Sequence, residues 1–381
     1  MATAFINGAI LTPGGFVTGH AVLVDGEHIS AIVSAEDRRV RGATAVDLAG
    51  RRLLPGFIDV QVNGGGGVLF NDAPTVAGIS AIAAAHLRFG TTGFLPTLIS
   101  DNLEAVAAAI AAVDAAIAAG VPGVLGIHIE GPFISAQRKG VHDAAHFLEL
   151  GHEAVTLLSS LKRGVTLLTL APERADSAVI ARLAAAGVIL AAGHTNATAA
   201  EIATAQRHGL RGFTHLFNAM SQMTAREPGV VGAALSDDES YCGIIVDGKH
   251  VDPMVLKIAL RAKRHDRFML VTDAMPAVGN NAPSFKLQGR TIKVIDDYCV
   301  DEDGTLAGTA LNMSRAVGNA ISLLGLSVAE AVRMASEYPA RFLKLPDSHG
   351  SIQVGLRADF AVADENGTVH ETWIGGRRAS P

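Results

Sequence analysis

Four stretches decide how this chain reads: VLGIHIEGP at 124–132, VILAAGHTNAT at 188–198, LRGFTHLFNAM at 210–220 and FMLVTDAMPAVG at 268–279. In each, an apolar run stops at a polar or ionisable side chain, respectively Glu130, His194, His215 and Asp273, and passes into a turn or loop. Runs of this kind suit strands buried on both faces, as in a parallel sheet. Two imidazoles and one carboxylate are enough to hold a catalytic zinc with one position left open for water. A further aspartate outside that set is what metal-assisted hydrolysis needs for handling protons. Four such residues at four strand ends point to one site at the mouth of a barrel.

The rest of the 381 residues supports that frame. Apolar runs fall near 53–62, 91–99, 121–130, 164–171, 187–193, 210–217, 241–247 and 267–273. Helical stretches are predicted at 75–89, 101–119, 146–162, 175–186, 197–208 and 252–265, with 309–325 after the last run. Repeated β-α units predict a parallel sheet, and about eight of them favour a closed barrel over an open one. No GxGxxG opens a helix after the first run, and NGGGG at 63–67 is a flexible loop rather than a dinucleotide fingerprint. The ends have a different texture. Asn7-Gly8 and Asp25-Gly26 are hairpin signals between β-favouring runs, and RADFAVADENGTVHETWIGGRR at 357–378 repeats the pattern. The fold class is therefore α/β: a (β/α)8 TIM-like barrel over 53–345, with a small β-sandwich domain formed from both chain termini, 1–52 and 346–381.

Apolar residues at 49 % and charged residues at 18 % exclude a disordered chain. A net charge of −6 and a pI near 6.1 argue against nucleic acid or an anionic membrane as partner. Cys242 and Cys299 share no CxxC spacing and read as buried free thiols in a reducing cytoplasm. MATAFINGAILTPGG has neither the basic nor the long apolar region of a secretory signal, so a cytoplasmic location is expected. LEAVAAAIAAVDAAIAAG at 103–120 carries Glu104 and Asp114 and reads as a soluble amphipathic helix.

Each candidate has a plainer reading. Glu130, closing a buried strand, must find a cation or strong donors, so an arginine salt bridge is the alternative to a metal. His128 shares its side of the strand and reads as a satisfied core or supporting histidine. His194 and His215 would singly be core residues about as often as ligands. Their place at successive strand ends favours ligands, and His194 precedes a helix whose N-cap is expected at Thr195 or Asn196. Asp273 could be a helix cap or charge partner, but general base and acid is the better reading. The first barrel strand, LLPGFIDVQVNGGGG at 53–67, offers Gln61 and Asn63 at alternate positions and no histidine. Amides are poor ligands for a borderline-soft metal, so a single tight ion is expected. Asp59, on the same face, marks with Gln61 and Asn63 where a weak second ion would sit.

The ordered set PGFIDVQVNGGGG, HIEGPFIS, KGVHD, AGHTNAT, FTHLFNAMS, REPGVVGAA, VDGKHVD, LVTDAM and LAGTALNM resembles the N-acetylglucosamine-6-phosphate deacetylase family of the amidohydrolase superfamily. The likeness runs from about residue 50 to 345 and takes in the flanking β segments. It implies a barrel with a sandwich built from both termini, which agrees with the reading above. It also implies one divalent metal ion per subunit on Glu130, His194 and His215, with Zn2+ first and Fe2+, Co2+ or Mn2+ as alternatives. By the same resemblance, Asp273 is the catalytic acid/base and His142 contacts the acetamido carbonyl. Val141 offers a backbone contact, Asn218 and Ala219 meet the sugar phosphate, and Leu306, Ala307 and Gly308 form a substrate-side loop. Arg226 and His250 would bind phosphate from the partner subunit of a homodimer. Gln61 and Asn63 follow the single-metal branch. A guanidinium with amide donors is also what phosphate recognition asks for on chemical grounds. The activity implied is hydrolysis of N-acetyl-D-glucosamine 6-phosphate to D-glucosamine 6-phosphate and acetate, in amino-sugar catabolism and cell-wall sugar recycling. Two alternatives remain: a related amidohydrolase acting on another N-acetylated amino-sugar phosphate or a cyclic amide, and a non-catalytic sugar-phosphate-binding protein.

Overall fold

In the computed structural model, which describes residues 2–379, eight parallel strands follow one another around a barrel. They are Phe57–Val62, Thr91–Ile99, Gly126–Glu130, Val165–Leu170, Ile189–Ala192, Leu210–Phe213, Tyr241–Ile244 and Phe268–Leu270. The order in the sheet is the order in the chain, and every neighbouring pair is parallel. Thr91–Ile99 is buried along its whole length, which is why such runs show no polar alternation. The ring closes where the backbone N–H groups of Asn63 and Gly64 donate to the Ala274 carbonyl, at 2.8 and 2.9 Å. Beneath that seam the Asp59 carboxyl is bound by the Thr272 hydroxyl and by the N–H groups of Gln61 and Thr272. Asp59 is thus a stitch between first and last strands.

The apolar run near 53–62 divides at Gly56. Arg52–Pro55 joins a six-stranded sheet with Ala9–Thr12, Gly15–Val17, Phe360–Ala363, Val369–Ile374 and Arg377–Arg378, while Phe57 begins the barrel. A Cβ at Gly56 would come within 2.1 Å of the Thr92 hydroxyl, so no side chain fits at this crossing. A four-stranded sheet from Thr3–Ile6, His20–Asp25, His28–Ser34 and Thr44–Asp47 supplies the other terminal layer. Phe5, Ile10, Val22, Leu53, Phe360 and Val362 share its core, with Phe5 edge-on to Phe360 at 5.0 Å and to Trp373 at 4.9 Å. The sandwich does draw on both ends of the chain.

Helices cover the barrel at Val76–Leu87, Leu103–Ala118, Ser177–Ala185, Ala199–Arg207, Pro253–Ala262 and Met313–Leu324. Asn102 caps the second by accepting from the Ala105 N–H at 2.8 Å. The helix after His194 starts later than expected. Thr198 forms a capping box with Glu201, while Thr195 and Asn196 are drawn instead to the Glu173 carboxylate. The helix expected over 146–162 shrinks to His152–Leu158, because Leu148 N–H donates to the Pro132 carbonyl and holds the preceding segment over the barrel mouth. Helices Gly229–Ser236, Val328–Ala335 and Glu337–Phe342 were not anticipated. Nor was an antiparallel sheet of Ser284–Leu287, Arg290–Ile295, Tyr298–Val300 and Leu306–Thr309. It packs on the mouth through Leu287, Ile292, Cys299 and Ala307 against Leu69, Ile99 and Met275. Cys242 and Cys299 are free and buried, and burial pushes both thiols up to about 12. Among the described residues no helix is long and apolar enough to cross a membrane.

Burial pushes the Asp59 carboxyl up to about 7, against 3.8 ordinarily. The folded state then holds this proton more tightly than the unfolded chain, so this group's contribution to stability falls as pH climbs between those values and is level above them. Asp59→Asn keeps acceptors for the two N–H groups and supplies a permanent donor to the Thr272 hydroxyl. Relative to wild type, the variant should gain in unfolding free energy from pH 4.5 to pH 8, by at most about 3 kcal/mol at 1.36 kcal/mol per pKa unit. Calorimetry at equal metal loading checks this. A penalty equal at both pH values would show that Asp59 is ionised in the fold.

Candidate active site

The barrel delivers its reactive side chains to one end. Glu130 is the last residue of the third strand, and His194, His215 and Asp273 follow just after the fifth, sixth and eighth. The last three are held in left-handed backbone conformations, with φ of +49°, +34° and +52°. Such conformations cost about 1–3 kcal/mol per non-glycine residue and persist only where the surroundings over-determine them.

The His215 Nε2 atom lies 3.0 Å from Glu130 Oε1, His194 Nε2 lies 3.3 Å from the same oxygen, and the two nitrogens are 3.1 Å apart. Imidazole nitrogens that turn lone pairs toward one another and toward a carboxylate cannot be satisfied by hydrogen bonds alone. Tetrahedral bonds of about 2.0–2.1 Å would place neighbouring ligand atoms roughly 3.3 Å apart, so the triangle is close to one face of a zinc coordination shell. His194 Nδ1 sits 2.9 Å from the Arg138 carbonyl, which fixes its proton there and turns the Nε2 lone pair inward. Burial alone would raise the Glu130 carboxyl. The two imidazoles set against it, His194 and His215, outweigh burial and hold Glu130 well below its ordinary range. Among the described residues this is the one group of three such side chains placed to hold a metal.

Asp273 stands beside the triangle without joining it. Its Oδ1 accepts from Asn63 Nδ2 at 2.6 Å and Gln61 Nε2 at 3.1 Å. The same Gln61 amide donates to both Glu130 oxygens, at 3.1 and 3.2 Å. A second cation between the two carboxylates would have to displace this neutral carboxamide. Burial, then the charge of Glu130, pushes Asp273 up to about 6. On the opposite wall the ring centroid of His142 is 4.4 Å from that of His194. The Ser100 N–H donates to His142 Nδ1 at 3.3 Å and the Ser100 hydroxyl lies 2.8 Å from it. Nδ1 is therefore the acceptor and the proton resides on Nε2. Burial, then the neighbouring His194, pushes His142 down to about 3, so the ring is neutral. His250 Nδ1 is held at 2.6 Å by Asp247, whose carboxyl also takes the N–H groups of Lys249 and His250.

These groups line a cavity of about 640 Å3. Of the residues singled out in the sequence, Asn63, Glu130, Val141, His142, His194, His215, Asn218, Ala219, His250, Asp273, Leu306, Ala307 and Gly308 form its wall. Gly308 has φ of +69°, and a Cβ there would meet Met275 at 2.6 Å and the Asp273 carbonyl at 2.8 Å. Arg226 is exposed and outside the wall, whereas His250 lines the cavity of its own chain. Gln61 lies just below the floor, and Asp59 is given over to the barrel seam. His128 is a satisfied core histidine between the Thr97 and Thr169 hydroxyls, at 3.2 and 2.7 Å. Sequence reasoning missed Asp247, Ser100 and Gln288. Asp247 had a signal, since an aspartate three residues before a histidine can accept from its ring and N–H. A second cavity of about 600 Å3, around Thr92, Arg357 and Asp359, contains none of the site residues.

The amidohydrolase family model matches residues 52–379. An N-acetylgalactosamine-6-phosphate deacetylase of a Shewanella species is 43 % identical, covering 85 % of this chain and 82 % of its own. An N-acetylglucosamine-6-phosphate deacetylase of Haemophilus influenzae is 37 % identical over 99 % of both chains. The crystal structure of N-acetylglucosamine-6-phosphate deacetylase from Pasteurella multocida superposes with a TM-score of 0.96 at 36 % identity, covering all of both chains. With its eight-stranded barrel, its terminal sandwich and a buried Glu-His-His group at the strand ends, this chain belongs to the amidohydrolase family.

Proposed function

We propose that this protein hydrolyses N-acetyl-D-glucosamine 6-phosphate to D-glucosamine 6-phosphate and acetate. The observation that carries the reading is the Glu130, His194 and His215 triangle with Asp273 detached beside it, in a chain similar over nearly its whole length to deacetylases of this kind. Glu130, His194 and His215 would hold one divalent ion, zinc by preference and iron, cobalt or manganese otherwise. When bound, it lowers the pKa of water and polarises the amide carbonyl.

The remaining chemistry falls to side chains. Asp273 has Oδ1 occupied by Asn63 and Gln61, leaving Oδ2 to take a proton from the attacking water. Its raised affinity for that proton suits the exchange, because the same proton must then reach the amide nitrogen. As the water oxygen bonds to the carbonyl carbon, the carbonyl oxygen gains charge, and the His142 Nε2–H is free to donate to it. The C–N bond then breaks with Asp273 protonating the nitrogen, so that an amine leaves rather than an amide anion. Val141, Leu306, Ala307 and Gly308 shape the acetamido side of the cavity. Asn218, Ala219 and His250 face the phosphate.

A second copy of the chain would supply Arg226. Met223 on the same exposed loop, and Met254, Val255 and Ile258 on helix Pro253–Ala262, are exposed apolar side chains of the kind a homodimer would cover. The second reading is the galacto epimer as substrate, favoured by the 43 % identical relative. A cytoplasmic location belongs to the same proposal, since a sugar phosphate does not cross a bilayer freely.

The experiment is acetate release from both 6-phosphorylated epimers and from the unphosphorylated sugar, with and without chelator. Release from the phosphorylated gluco sugar, abolished by chelator and weak on the free sugar, is expected; no release from any of them would remove the reading. Asp273→Asn should keep its metal while turnover falls roughly 10²–10⁴-fold, the usual size of a general acid–base contribution. Arg226→Ala should raise KM for the phosphorylated sugar, and mixing it with excess inactive Asp273→Asn chains should restore activity. Absence of rescue would place Arg226 in its own chain's site.

A further inference from the structure

We propose that Gln288 is a positioning residue for His142, acting as a latch between the antiparallel sheet over the barrel mouth and the loop that carries that histidine; this rests on the role just given to His142. Gln288 and Gly289 form the two-residue turn joining Ser284–Leu287 to Arg290–Ile295, with Leu287 paired to Arg290. Both turn residues are left-handed, with φ of +47° and +82°. Turns of this type favour asparagine or glycine at the first position, so a glutamine here goes against local preference.

The reason lies in what its side chain reaches. Gln288 Nε2 donates to the Ser100 carbonyl at 2.9 Å, and Gln288 Oε1 accepts the Asp143 N–H at 2.9 Å. Both partners are backbone groups of fixed polarity, so only one orientation of the carboxamide is allowed. Ser100 is the residue whose N–H and hydroxyl meet His142 Nδ1, and Asp143 follows His142 in the chain. The carboxamide therefore closes a ring of contacts around His142, tying the end of the second barrel strand to the loop. Leu287, buried beside Val141 in one apolar cluster, seats the turn. The same loop supplies the Arg138 carbonyl that orients His194. An asparagine, one methylene shorter, would not span both partners.

Without the latch the Ser100 carbonyl and the Asp143 N–H lose their partners, and His142 is no longer fixed with Nε2 toward the cavity. With both of these hydrogen bonds gone, Gln288→Leu should lower kcat about tenfold with KM within about twofold. In a His142→Ala background the same change should cost nothing further, because the two act through one contact. Gln288→Glu adds a readout that a purely structural role would not move. Ionised, its carboxylate faces the Ser100 carbonyl; protonated, it restores both bonds. The ratio of variant to wild-type kcat should therefore rise as pH falls from 8 to 5.5. Amide exchange of residues 136–146 should quicken in Gln288→Leu whatever the substrate. If wild type releases no acetate, the functional reading fails while exchange still decides the latch. If Gln288→Leu does not fold, exchange and the pH ratio of Gln288→Glu decide it. Unchanged exchange, equal losses in both His142 backgrounds or a flat pH ratio would each overturn the proposal.

Discussion

A carboxylate buried at the end of a barrel strand, facing two imidazoles across about 3 Å, is the constraint on which this structure turns. Glu130 cannot stay charged there without concentrated positive character, because the cost of burying an unpaired charge far exceeds any single hydrogen bond. His194 and His215 are aimed at it, yet their inward nitrogens also face one another. A metal ion would resolve both conflicts, giving the carboxylate its counter-charge and each nitrogen lone pair an acceptor. The arrangement is thus a demand built into the fold as much as a site offered to a ligand.

Meeting that demand draws on the whole barrel. His194, His215 and Asp273 stand on left-handed backbone, which swings each side chain off the line of its strand. Those conformations hold only if the strands beneath are rigid and the ring is closed. The seam of Asn63, Gly64 and Ala274, with Asp59 and Thr272 below it, supplies that closure next to Asp273 itself. Gln61 rises from the same strand to place its amide between Glu130 and Asp273, so a donor stands between neighbouring carboxylates. Stability and chemistry therefore share residues on the first strand.

Much of this is legible in the amino-acid sequence. Parallel strands buried on both faces announce themselves as uninterrupted apolar runs, and four of those runs stop at the residues that form the site. Other features were less visible for physical reasons. Period-two alternation puts Asp59, Gln61 and Asn63 on one face, but each two-residue step advances about 6.6 Å along a strand. Same-face residues therefore occupy successive layers, and Asp59 lies beneath the site it seemed to join. Gly56 hides a change of sheet inside one apolar run, because the crossing is set by the Thr92 side chain on another strand. SFKLQGRTIKV carries the alternation of a half-exposed hairpin, a local pattern submerged beneath the stronger β-α rhythm. Gln288 could not be read at all, since its partners are backbone groups almost 190 and 145 residues away. Arg226 and His250 looked alike in the sequence, yet one is exposed outside the cavity and the other lines it.

The most direct test of the central claim is the metal content of protein purified without added metal, measured by elemental analysis for wild type and for Glu130→Ala. Three ligands around one ion, with Gln61 occupying the neighbouring space, predict close to one transition-metal equivalent per chain in wild type and far less in the variant. Two equivalents in wild type would contradict the role given to Gln61. None in wild type, with the ion failing to bind on titration, would contradict the account at its foundation.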